Sequence, residues 1–310
     1  MKRAFINLGF SAVLTLLTGC AGTSPMGSVA PPVQSGIPTA SFDAGPNVLQ
    51  KVVFVAELTG SVNLFSAHIN EKNPPLLGQI TQGTPRPEGL WVDKNGTLYV
   101  SNNAQPPSIA EYKPGGRSPF KTITSGLNSP GEVAVDSSGN LYVCNFGFTV
   151  LVYPPGASTP SRTISIPRLG KHPTLGSMAF DSQGNLLVAT AGVEGIDANV
   201  YSVAPGSSQA VNLNLQGPAG AQIGTDRAGN LYNGSDEGSI VVYAPGSKTP
   251  SRSIYAGTNG FYSFFTVRPN GTIYWPNYDD SEMYEFAPGA SSPTNVFLNG
   301  GGVAAAVGLR

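Results

Sequence analysis

A ten-residue phrase returns along this chain and limits what it can fold into. It reads "DKNGTLYVSN" from Asp93, "DSSGNLYVCN" from Asp136, "DSQGNLLVAT" from Asp181, "DRAGNLYNGS" from Asp226 and "RPNGTIYWPN" from Arg268. In each copy a polar turn with a central Gly separates two short apolar runs. The Asp side chain accepts from turn amides and Gly supplies the positive φ, so each copy predicts a β-hairpin. A third run then leads into "EYKPGG", "VYPPGA", "SVAPGS", "VYAPGS" or "EFAPGA", where Pro-Gly marks another turn. Runs such as "SRTISI" and "SRSIYA" supply a fourth strand. The aromatic or apolar anchors Tyr99, Tyr142, Leu187, Tyr232 and Tyr274 recur at intervals of 42 to 45 residues. Four antiparallel strands per interval of that length make the blade of a β-propeller.

The blades number six. Phe54 in "KVVFVAE" lies 45 residues before Tyr99 and starts a unit that lacks its first strand. The missing strand is found at the other end, in "GGVAAAVGL" (Gly301 to Leu309). The expected fold is therefore all-β: a six-bladed propeller of four-stranded antiparallel blades over residues 48–310. The C-terminal strand completes blade one, which removes two exposed sheet edges.

Charged residues make up 11% of the chain, and 17 basic residues face 18 acidic ones. No basic field of the kind that binds a phosphate backbone is present, so nucleic acid is excluded as an expected partner. Gly (39) and Pro (27) occur without a collagen period, as suits a protein of many tight turns. Of the two cysteines, Cys144 sits in a strand pattern and is read as a small buried residue, not a nucleophile.

The N-terminus has its own pattern. Lys2 and Arg3 precede the apolar run Ala4 to Leu17, which is too short to span a bilayer as a helix. "LTGC" (Leu17 to Cys20) follows and resembles the lipobox of bacterial lipoproteins. That resemblance implies removal of residues 1–19, lipidation of Cys20 and a membrane contact through the anchor alone. Residues 20–47, rich in Gly, Pro, Ser and Ala, read as a flexible tether. Ala21 is not the aspartate that favours inner-membrane retention. The expected address is the cell envelope, on the outer membrane if there are two.

"DxxGNLYVxN" followed by "VxVYxPG" also resembles the repeat of NHL-type and SMP-30 (gluconolactonase)-like propellers. The resemblance covers almost everything from Val48 onward and implies the fold, while activity has to be argued from the site. SMP-30-like lactonases hold a divalent metal through a glutamate, two asparagines and an aspartate. Here "PEGLWVD" resembles their glutamate-glycine segment and nominates Glu88, with Asn102 and Asn145 as further ligands of a cation such as Ca²⁺. The positions equivalent to Glu88 in later blades are Gly131, Gly176, Ala221 and Ser263, which leaves one carboxylate for a hard cation that prefers several. No cofactor is therefore the leading expectation. His172, in "RLGKHPTLG", is the alternative general base, and His68 reads as a surface strand residue.

Three residues beyond each anchor stand Glu57, Asn102, Asn145, Thr190, Ser235 and Asn277, polar at one equivalent position. They read either as six turn caps or as a hydrogen-bonding ring for a neutral ligand. Together with Glu88 and Tyr262, the residues Glu57, Asn102, Asn145 and Asn277 form the expected ligand-binding set, and Phe146, Phe148, Trp275 and Tyr278 add aromatic surface. The leading functional reading is a lipid-anchored, monomeric, non-catalytic module that binds an envelope protein, a peptide or a glycan by its loop face. The alternative is an SMP-30-like lactonase, or another hydrolase or lyase, with its site at the top of the channel. Along the first strands, Trp91, Ala134, Ala179, Gly224 and Thr266 are expected to point into the channel, with Trp91 partly plugging it. Their neighbours are expected to pack between blades.

Overall fold

The computed structural model describes residues 51–67, 74–145, 147–168, 174–191, 198–217, 220–235, 238–257, 263–298 and 302–309. Cys20, the tether, His68, Phe146, His172 and Tyr262 lie outside them. Within the described residues, 24 strands form six four-stranded antiparallel sheets, numbered β1 to β24 in chain order. Blade one pairs β24 (Ala304–Leu309), β1 (Lys51–Glu57), β2 (Ser61–Ser66) and β3 (Leu76–Ile80) in that order. The other five blades are consecutive meanders. The C-terminal strand thus seats against the first strand of the fold, with Phe54 opposite Ala306 and Ala56 opposite Ala304. This is the expected six-bladed closed ring.

The repeated phrase builds the first turn of blades two to six. Asp136 Oδ1 accepts from the amides of Ser138 (2.9 Å) and Asn140 (2.9 Å), while its Oδ2 takes the Asn140 side chain at 2.8 Å. Asp181 and Asp226 repeat the arrangement with Asn185 and Asn230. The Tyr of "GNLY" joins in, since the Tyr232 hydroxyl donates to Asp226 at 2.9 Å. Gly139 occupies φ +87°, where an L side chain is strained. A Cβ added to that Gly would lie 3.4 Å from Pro155, so the first turn packs against the Pro-Gly turn of its own blade.

The fourth strands couple blade to blade. Lys121 Nζ donates to Ala157 O (2.8 Å), Arg162 Nη1 to Ser207 O (2.6 Å) and Arg252 Nη1 to Ala290 O (2.9 Å). Each basic residue opening a fourth strand therefore holds the Pro-Gly turn of the following blade. These carbonyls and cations are mutually satisfied at the rim, while the apolar residues fill the spaces between blades.

The innermost strands are β4 (Pro87–Val92), β8 (Val133–Val135), β12 (Thr174–Phe180), β16 (Gln222–Thr225), β20 (Thr266–Val267) and β24. Their alternation differs from the expected channel-against-core division. Leu90 and Val92 pack into the apolar cluster shared with blade one, whereas Trp91 packs toward Val133, Val135 and Phe180 on the other side. Met178 faces the preceding blade, and Ala179 the following one, with Ile223. A strand edge, not a sheet face, looks at the axis, so successive side chains point to the two neighbouring blades. Trp91 is half-buried and edge-on to Phe180, ring centroids 6.3 Å apart. It forms part of the channel wall.

Candidate functional site

At the end of the second strands, the six polar positions are fastened to the protein's own loops. The Asn102 amide donates to Gly83 O at 3.0 Å. Asn145 accepts from the Asn128 amide at 2.8 Å and donates to Gly126 O at 3.3 Å. Both residues therefore hold the linker arriving from the preceding blade. The other four hold the turn that follows their own strand. Thr190 Oγ1 accepts from the Asn199 amide at 3.1 Å, and Ser235 shares a 2.9 Å hydrogen bond with Ser239. Asn277 accepts from the Asp279 amide at 3.1 Å and donates to Asp280 at 2.9 Å. Glu57 accepts from Asn63 and Thr59, and burial lifts its carboxyl to about 7.

Glu88 stands apart from this ring. The Asn103 amide donates to both its oxygens (3.1 and 3.2 Å), and Arg86 lies 3.5 Å away. Burial raises its pKa, and these two partners pull it back in part. Asn102 keeps Oδ1 without a partner among the described residues, but Glu88, Asn102 and Asn145 are each engaged locally with different groups. Among the described residues no three His, Cys, Asp or Glu side chains gather as a metal site. The donor set does not fit a hard divalent cation, which takes several converging oxygens.

The concave feature is at the opposite end of the ring. A cavity of about 830 Å³ runs inside the innermost strands of all six blades. Its wall includes Leu90 and Trp91, Val135, Met178 and Phe180, Ile223, Phe265 and Val267, and Ala305 to Gly308. It is also lined by the exposed turn residues Ser137, Ser138, Ser182 and Gln183 and by Lys51, so it opens on the face of the repeated Asp-x-x-Gly turns. Glu132 and Ser177 border it four residues before the turn aspartates Asp136 and Asp181.

Glu132 is a buried carboxyl at the cavity that no repeated signature marks. The backbone amides of Leu90 and Val133 hydrogen-bond its carboxyl, yet Oε2 has no partner among the described residues. Burial pushes its pKa up to about 8. Its neighbour Cys144 is buried as expected, bonded to Gly176 O at 3.5 Å, with its thiol pKa raised by burial and by Glu132. The signal for Glu132 is present in "GEVAVD": a lone charge opens an otherwise apolar inner strand. Burying an ionisable group without a full set of partners is costly, and such groups concentrate at functional sites.

No family model matches the sequence, and no curated protein matches it. Solved structures do share the fold. A chain of the nidogen/laminin complex aligns with a TM-score of 0.63 at 15% identity, over 83% of this chain and 98% of that one. A protein of unknown function from Bacteroides caccae aligns with a TM-score of 0.62 at 14% identity, over 84% of this chain and 99% of that one. The U3-55K structure aligns at 0.57 and 14% identity, covering 80% of each chain. At these identities the likeness concerns the propeller architecture alone.

Proposed function

We propose that this chain is a lipid-anchored binding module of the cell envelope, carrying no turnover of its own. It presents the loops beyond its second strands to an envelope protein, a peptide or a glycan. The observation that supports this reading most is the use made of the six polar positions. Each fastens a loop, which suits a face that holds loops in place for recognition. In blade six the Asn277 cap leaves Tyr278 exposed beside Asp279 and Asp280. In blade three Phe148 is held at φ +61° under the Arg168 guanidinium, 5.2 Å from its ring. An aromatic ring with polar neighbours is a common anchor in recognition surfaces. The anchoring itself rests on the basic head, short apolar run and "LTGC" at Cys20.

The test has two parts. The intact mass of the native protein should lack residues 1–19 and carry acyl chains on Cys20, and Cys20→Ala should block processing. The purified protein should then bind components of a peptide and glycan array, with Tyr278→Ala weakening binding. A soluble, unlipidated mature protein would overturn the anchoring. Turnover of a lactone panel dependent on a bound divalent metal would replace the binding module with the SMP-30-like lactonase.

A further inference from the structure

The cavity within the ring uses none of the loop-face residues and opens at the other end of the molecule. At about 830 Å³ it falls within the range of small-molecule sites; apolar and aromatic side chains of the inner strands line it, with polar and charged residues gathered at the turn mouth. Glu132 borders it as a buried carboxyl with one oxygen unpartnered, directly before the apolar strand β8. Two backbone amides already donate to that carboxyl, an arrangement that favours the anion. What burial opposes is a charge without a counter-charge. A cationic donor arriving from the cavity would supply it, and the soft final torsion of a glutamate lets Oε2 turn toward it.

We propose that the central cavity binds a small organic ammonium compound. Its hydrocarbon or aromatic body lies along Trp91, Met178, Phe180, Ile223 and Phe265, and its nitrogen donates to Glu132. The exposed turn at Ser137 and Ser138 marks the entrance. The proposal is independent of the loop-face reading, because it concerns a different ligand class at the opposite end of the ring.

The probes are 4-phenylbutylamine, 4-phenylbutan-1-ol and 4-phenylbutyrate, which share one skeleton and differ in the head group. Binding to the purified protein is read by calorimetry and by acrylamide quenching of tryptophan fluorescence. Trp275 is fully buried and Trp91 lines the cavity, so bound ligand should shield Trp91 selectively. The amine should bind at least about tenfold more tightly than the alcohol or the carboxylate, a difference that Glu132→Gln should remove while leaving the alcohol unaffected.

Proton linkage provides a second readout that does not depend on the variant folding. Glu132 must ionise to pair with the ammonium, so amine affinity should rise between about pH 6 and about pH 8, and alcohol affinity should not. The groups facing Glu132 or lining the cavity are Cys144, whose thiol is held neutral, and Lys51, Asp136, Asp181 and Arg268 near the mouth. Equal binding of all three probes, no amine binding, amine binding without shielding of Trp91, pH-independent amine affinity, or wild-type amine affinity in Glu132→Gln would each overturn the proposal.

Discussion

Asp226 shows what the repeated phrase does at the scale of single residues. It accepts from the Asn230 amide and side chain and from the Tyr232 hydroxyl, which is otherwise enclosed in the core. Asp226→Ala should therefore leave the tyrosine hydroxyl proton without its acceptor, the oxygen still facing Arg252, and cost about 1–3 kcal/mol, read from denaturant unfolding. Blade six carries Arg268 at this position and bonds Thr272 N to Asn270 Oδ1 instead, at 3.2 Å. A copy of the turn without the aspartate is thus possible when another side chain takes over the amide. Glu132 gives the opposite case, a side chain that the fold accommodates poorly. Its folded pKa is raised from 4.5 to about 8, so the native state holds the proton more tightly than the unfolded chain. Its favourable contribution is complete below about pH 4.5 and is lost as pH rises through about 8. Glu57, raised to about 7, acts in the same direction. The melting temperature should fall between about pH 5 and about pH 9, and Glu132→Gln should flatten that slope in part, Glu57 and Glu88, both also raised by burial, contributing to the remainder. An unchanged slope would show that Glu132 ionises as freely as an exposed carboxylate.

At the scale of elements, the two tryptophans separate wall from core. Trp275 in β21 (Ile273–Asn277), expected on the loop-face surface, is instead fully buried, donates to Gln222 Oε1 and Ser263 O at 2.9 Å each, and stacks edge-on with Phe265. Trp275→Ala should cost at least the ~3–5 kcal/mol typical of a buried aromatic. Trp91→Ala should cost clearly less, because one side of that ring already faces the cavity. Equal losses measured by chemical denaturation would place Trp91 in the core. The strands, turns and blade count are legible in the sequence because each repeats a local rule: Asp and Gly for one turn, Pro-Gly for the other, alternation between. The direction of Trp91 was not legible, since alternation states which residues share a face but not what that face meets. The polar ring was legible as a set of positions. That Asn102 and Asn145 reach back to Gly83 and Gly126 was not, because it depends on where an inter-blade linker passes. Glu132 was not legible as a site residue because it falls outside every repeated signature, and its significance comes only from the cavity that six separate strands enclose.

Across the whole molecule, the decisive feature is closure of the ring by β24 against β1. Without that strand, Ala305 to Gly308 leave the cavity wall, blade one loses its inner edge, and the apolar faces of Phe54 and Leu90 lose Ala304 and Ala306. The entrance to the cavity is also set by closure, since Lys51 lines it where the chain joins β1. The most direct test is a bridge across this seam. Ala56 and Ala304 are paired across the two strands, at a separation that antiparallel partners share with disulfides. In an Ala56→Cys/Ala304→Cys variant, mild oxidation should form an intramolecular disulfide, found by peptide mapping, and raise the melting temperature reversibly with reduction. The long loop so closed should add up to about 4 kcal/mol of stability. Folded protein in which both new thiols stay free, or join different molecules, would contradict the closed ring.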